Sequence, residues 1–102
     1  MTSPDFTAND LICAVVQDVE TKDVLMVAYM NEPAWEETRR TQMATFFSRS
    51  RQQLWRKGAT SGNTMHVESI AVDCDGDTVI LQVHPAGPAC HTGNRTCFTA
   101  AD

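Results

Sequence analysis

Met65-His66-Val67-Glu68-Ser69-Ile70-Ala71-Val72-Asp73-Cys74-Asp75-Gly76-Asp77-Thr78-Val79-Ile80-Leu81-Gln82-Val83 decides the fold. Apolar and β-branched residues flank Asp75-Gly76, a pair suited to the positive-φ positions of a type I′ turn. The stretch therefore reads as a long strand to about Cys74, a turn, and a strand returning over 78–83. Upstream, 11–17 and 24–30 are two more β-rich runs separated by the polar stretch 18–23, a hairpin with a longer loop. Asn31 offers an N-cap and Pro33 suits a first helical turn, so Trp35 through Arg40 continue the one convincing helix. Residues 43–48 and 54–57 return to strand patterns, 58–63 is a Gly/Ser/Thr loop, and Pro85, Gly87 and Pro88 end regular structure before Cys90. The expected fold class is strand-rich α+β, a mixed, strongly bent sheet of about five to seven strands with one short helix.

Composition bounds the rest. The chain's 102 residues make one domain, 1–102, with a modest core, and no linker, repeat or low-complexity stretch interrupts it. With 42% hydrophobic and 21% charged residues it reads as an ordinary soluble protein with no membrane partner. The polar, acidic start Met1-Thr2-Ser3-Pro4-Asp5 lacks the basic-then-apolar pattern of an export signal, which places the protein in the cytoplasm. A net charge of −5 excludes the wide basic face that nucleic-acid binding needs. Even so, Arg49, Arg51, Arg56 and Lys57 are half of the 8 basic residues, a local cluster suited to a small phosphate-bearing ligand or simply to a solvated face.

The chemistry sits in the last third. Of 4 cysteines, Cys13 lies in an apolar run and reads as a small core residue, while Cys74, Cys90 and Cys97 are spaced C-x15-C-x6-C. The reducing cytoplasm argues against disulfides. Three thiolates suit zinc with its fourth position open for water, whose pKa then falls to about 7, and His91 is placed to carry its proton. The alternative is a closed Cys3His structural site, which needs the chain to bend so that Cys90 and its neighbour His91 both face one ion. Asp73, Asp75 and Asp77 either belong to the turn or, because three close carboxylates repel one another, hold a hard cation such as magnesium. Strand alternation would set Cys74 opposite Asp73 and Asp75, implying separate sulfur and carboxylate sites. Trp55 either stacks on a base or packs in the core. His66 and His84 read as strand histidines without a metal.

Val24-Leu25-Met26-Val27-Ala28-Tyr29-Met30-Asn31, Phe47-Ser48-Arg49-Ser50-Arg51, Leu54-Trp55-Arg56-Lys57-Gly58-Ala59-Thr60-Ser61-Gly62, Asp73-Cys74-Asp75-Gly76-Asp77, Ala89-Cys90-His91-Thr92-Gly93 and Cys97-Phe98 together resemble phosphoribosyl-AMP cyclohydrolase. The resemblance runs from about Leu11 to Phe98, nearly the whole chain. It implies hydrolytic opening of the adenine ring of phosphoribosyl-AMP at C6–N1, in histidine biosynthesis. It also implies Zn2+ on Cys74, Cys90 and Cys97, Mg2+ on Asp73, Asp75 and Asp77, and His91 as proton carrier. It further implies an intertwined, pseudobarrel-like homodimer in which Cys74 and the Cys90–Cys97 pair of one site come from different subunits. Arg49, Ser50, Arg51, Trp55, Arg56 and Lys57, with the Thr60-Ser61-Gly62 loop, become candidates for holding the nucleotide. Met65 stands where relatives often carry Gln, which removes a polar contact there. No fused pyrophosphohydrolase domain is expected. Two rival classes are a nucleoside deaminase, whose H-x-E and P-C-x-x-C signature is absent, and a zinc-stabilised binding module, which leaves the aspartates idle.

Overall fold

Alternation writes the first strand. In β1 (Ile12–Asp18) Ile12, Ala14, Val16 and Asp18 point inward and are buried, whereas Cys13, Val15 and Gln17 share the other face and are half-buried. Cys13 is therefore not a core residue: its odd position turns it away from the buried side. This is the computed structural model of residues 2–101; Met1 and Asp102, the ends of the expected domain, lie outside the described residues. β2 (Val24–Met30) returns antiparallel to β1, with Ile12 opposite Met30 and a register shift between Val16 and Gln17. Asp18 shapes the connecting turn, its Oδ1 accepting from the backbone N–H groups of Glu20 (2.8 Å) and Thr21 (3.2 Å).

The helix forms where its caps placed it. In α1 (Glu32–Thr41) Asn31 Oδ1 accepts from Ala34 N at 3.0 Å, Pro33 occupies the first turn, and Gln42 closes the end at φ 61° by donating to Thr38 O. Its inner face buries Ala34, Trp35 and Thr38. Thr38 Oγ1 both donates to Thr45 O and accepts from Thr45 N, each at 3.0 Å, so the helix is pinned to the next strand without an orphaned polar group.

β3 (Thr45–Ser48) and β4 (Gln53–Arg56) pair as a separate two-stranded sheet, while β5 (Met65–Val72) and β6 (Thr78–Pro85) complete the main one. Its order is β2-β1-β6-β5, with β1 and β6 parallel and the other pairs antiparallel, so the sheet is mixed, as expected, and open. Among the described residues, the six strands divide between two sheets because β3 and β4 pair only with each other; Met43, expected inside a strand, makes just an isolated bridge to His66. Phe46, Ile12, Leu25, Met30, Leu81 and Met65 fill the space between sheet, helix and hairpin. Met65 is wholly buried, so an apolar side chain at that position serves packing rather than a ligand. No helix among the described residues is long and apolar enough to cross a membrane.

Candidate metal and nucleotide site

The β5–β6 turn is wider than the dipeptide Asp75-Gly76 suggested. β5 stops at Val72, Asp73 N donates to Thr78 O at 2.9 Å, and residues 73–76 form a turn closed by Gly76 N to Asp73 O at 3.1 Å. Gly76 sits at φ 73°, and a Cβ there would lie 3.1 Å from the backbone N of Asp5, which donates to Gly76 O. Because 73–77 is loop and not strand, alternation does not govern it, and oxygens of Asp73, Asp75 and Asp77 lie within 4.8 Å of one another. Burial pushes the Asp73 carboxyl up, but hydrogen bonds from the backbone of Asp77, Thr78 and Gly76 outweigh it and hold the group below its ordinary value. Three oxygen donors so gathered fit a hard divalent cation.

The second loop hangs from the end of β6. Ala89 N donates to Arg95 O and Cys90 N to Asn94 O, both at 3.1 Å, and Gly93 (φ 92°) turns the chain by donating to Cys90 O at 3.0 Å. Cys90 and Cys97 lie near enough across this loop for each thiol to influence the ionisation of the other. Thr92 Oγ1 donates to Cys90 Sγ at 3.1 Å, the main reason the Cys90 thiol is held below its ordinary value. Burial, then the neighbouring Cys90, pushes Cys97 up, while the positive charge of Lys57 favours both thiolates. A pair so poised, one sulfur readily ionised beside another, fits a thiophilic ion. His91 is exposed, and although the loop bends at Cys90 it does not join the two sulfurs in a trio within 4.8 Å.

Nor does Cys74, because the aspartates are the one such group among the described residues. The sheet explains this. Cys74 belongs to the turn whose Asp77 O accepts from Cys13 N at the start of β1, while Cys97 N donates to Leu25 O and Arg95 reaches Asp18 at the end of β1. At about 3.3 Å per residue, the length of β1 separates the two ends by roughly 20 Å.

The basic cluster divides. A cavity of about 710 Å³ is lined by Ser50, Arg51, Trp55, Arg56, Thr60 and Ser61, all expected ligand residues, together with Ser48 and Gly58. Gly58 (φ 82°) lets the loop fold back on itself, since a Cβ there would fall 2.3 Å from the carbonyl carbon of Asn63. Gly62 closes this loop from outside by donating to Gly58 O at 2.8 Å. Trp55 packs on Phe46 with ring centroids 5.1 Å apart, as its core reading has it, and also borders the cavity. Two residues lie elsewhere. The Arg49 guanidinium stacks 4.2 Å over the Tyr29 ring, drawn there by the aromatic face, and Lys57 Nζ donates to Ala89 O beside the cysteines. Sequence reading missed Thr92 and Arg95, both polar loop residues whose only signal was their place between two cysteines.

Residues 26–99 match the family model described as phosphoribosyl-AMP cyclohydrolase. The chain is 62% identical over 96 residues to the phosphoribosyl-AMP cyclohydrolase of Erythrobacter litoralis, covering 94% of this chain and 77% of that protein. It is 60% identical over 91 residues to the enzyme of the same name from Lacticaseibacillus casei, covering 89% and 83%. The histidine biosynthesis bifunctional protein of Thermus thermophilus is 58% identical over 96 residues, 94% of this chain but 45% of that longer protein.

Proposed function

The chain belongs to the phosphoribosyl-AMP cyclohydrolase family, and from that premise we propose that it opens the adenine ring of phosphoribosyl-AMP in the cytoplasmic synthesis of histidine. The observation that carries the reading is the pairing of a sulfur loop and a carboxylate loop with an arginine-lined cavity joined to the first through Lys57. Cys90 and Cys97 would hold zinc with Cys74, and Asp73, Asp75 and Asp77 would hold magnesium. When bound, zinc supplies a Lewis acid that brings the pKa of water to about 7.

The chain's own residues supply the rest. Arg51 and Arg56, with the hydroxyls of Ser50, Thr60 and Ser61, offer charge-assisted donors to the phosphates of the substrate, and Trp55 offers a face to its base. Water adds to C6, the C6–N1 bond breaks, and N1 leaves with its electron pair. His91, exposed and next to Cys90, takes the proton from water and returns it to the departing nitrogen.

Among the described residues of one chain the three sulfurs do not gather within 4.8 Å, and the proposed zinc site is one in which a homodimer contributes Cys74 from one subunit and Cys90 with Cys97 from the other. The outer face of the main sheet supports that reading. Val27 and Ile80 flank Val15 across the β2-β1-β6 ladder and remain 43% and 39% exposed, an apolar surface suited to a second copy. The test mixes Cys74→Ser with Cys90→Ser under conditions where subunits exchange. Each variant alone should lack ring-opening activity, and random hybrids should regain about a quarter of the wild-type sites. No recovery despite exchange would count against shared sites, and deamination of free nucleosides without ring opening would overturn the reaction.

A further inference from the structure

Arg95 ties the two cysteine-bearing arms to the hairpin below them. Its Nη1 donates to Asp23 Oδ2 at 2.7 Å, and its Nη2 donates to Asp18 Oδ2 at 2.9 Å and to Thr21 Oγ1 at 2.8 Å. All three acceptors belong to the β1–β2 turn or its edges. Asp18 is itself fixed, because its other oxygen is taken by the backbone N–H groups of Glu20 and Thr21. The next two residues continue the attachment: Thr96 Oγ1 donates to Val24 O at 2.8 Å and Cys97 N to Leu25 O at 2.8 Å. On the other arm, Arg95 O accepts from Ala89 N, the residue before Cys90. One residue thus joins the Cys90 arm through its backbone and anchors the Cys97 arm through its side chain.

We infer that Arg95 is a positioning residue that fixes the Cys90 and Cys97 arms relative to one another before any metal arrives. The inference rests on the proposed zinc role of these cysteines and assigns Arg95 no contact with substrate. A planar guanidinium reaching three acceptors at once fixes direction as well as distance, which a lysine ammonium on a flexible stem does less well. The fold itself has little need of this group. Arg95 is half exposed, and Asp18 keeps both of its backbone donors when the guanidinium is removed. Its loss should therefore fall on the metal.

The experiment measures zinc affinity of the purified full chain by competition with a chromogenic chelator, for wild type, Arg95→Ala, Arg95→Lys and Asp23→Asn, beside the melting temperature of each metal-free protein. Groups that orient metal ligands typically change affinity about 10- to 100-fold. Arg95→Ala should fall in that range with little change in metal-free melting, and Arg95→Lys should recover part of the loss. Asp23→Asn, which keeps an oxygen for Arg95 but removes the negative charge of the pair, should weaken zinc in the same direction by less, and it decides the matter if Arg95→Ala does not fold. Zinc affinity of Arg95→Ala within twofold of wild type overturns the inference, as does a loss matched by collapse of the metal-free fold in both Arg95→Ala and Asp23→Asn. Wild-type protein that takes up no zinc overturns the underlying thiolate reading instead, and the positioning role with it.

Discussion

The loop at 73–77 and the loop at 89–97 are both short, glycine-turned segments rich in potential metal ligands, yet among the described residues only the first gathers three of them. Its three carboxylates come from five consecutive residues that wrap around Asp73, so local backbone geometry alone brings them within 4.8 Å. The second presents two sulfurs, and its third candidate partner belongs to the first loop, at the other end of the sheet. Local sequence can gather three carboxylates by itself, whereas the proposed sulfur site, drawing on both ends of the sheet, would depend on a second copy. Assembly should therefore separate the two metals.

The largest effect should follow from breaking that assembly. Val27→Lys combined with Ile80→Lys places charges on the apolar sheet face at positions already open to water, where the fold of one chain does not require apolar groups. The double variant should sediment as a monomer and lose turnover by at least about a thousandfold, the scale of dismantling a catalytic unit. It should lose tight zinc but keep divalent-cation binding at Asp73, Asp75 and Asp77. A monomer that still held zinc tightly would erase the contrast between the loops.

A second, smaller effect tests the sulfur loop from within. His91→Ala should leave zinc content unchanged, since His91 stands outside the sulfur pair, while lowering kcat by about 10²- to 10⁴-fold, the range for a lost proton carrier. Single-turnover assays on metal-loaded protein check it. Full activity would remove His91 from the chemistry, and loss of zinc would make it a ligand.

Much of this was legible before any coordinates. The β-rich runs at 11–17 and 65–83, the Asn31 cap and the Pro33 start gave strands and helix to within about two residues, because those signals are local. The carboxylate trio was legible for the same reason, although the argument from strand alternation failed where the β5–β6 turn widened to include Asp73. Cys13 was misplaced because an apolar run conceals which face each residue takes; only the pairing with β2 and β6 settles that. Arg49 and Lys57 were grouped with the phosphate-binding residues by their nearness in sequence. The β3–β4 hairpin instead turns Arg49 to Tyr29, and Lys57 reaches a residue 32 positions away. Arg95 was invisible for a related reason, as its partners lie 72 to 77 positions upstream.

The smallest effect concerns the anchoring hub and acid. The N–H of Glu20, then that of Thr21 and the Arg95 guanidinium, hold the Asp18 carboxyl below its ordinary value of 3.8, against the opposing pull of burial. A carboxylate whose native pKa is depressed contributes stability that is fully present above the unfolded value and lost as pH falls through the native one. Asp18→Asn keeps an oxygen for the two backbone donors but cannot titrate. Wild type should therefore melt a few degrees above Asp18→Asn at neutral pH, about the shift expected for 1 kcal/mol in a domain of this size. The gap should stay level down to about pH 5 and close progressively below pH 4. Chelator in every sample keeps the carboxylate loop, whose Asp73 is depressed in the same direction, free of bound cation, so that its acid response is common to both proteins and cancels. A gap that persists unchanged at pH 2 would mean that the charge of Asp18 contributes nothing, leaving the cysteine loop held by Arg95 on Asp23 and Thr21, by the Thr96 hydroxyl on Val24 O and by Cys97 N on Leu25 O.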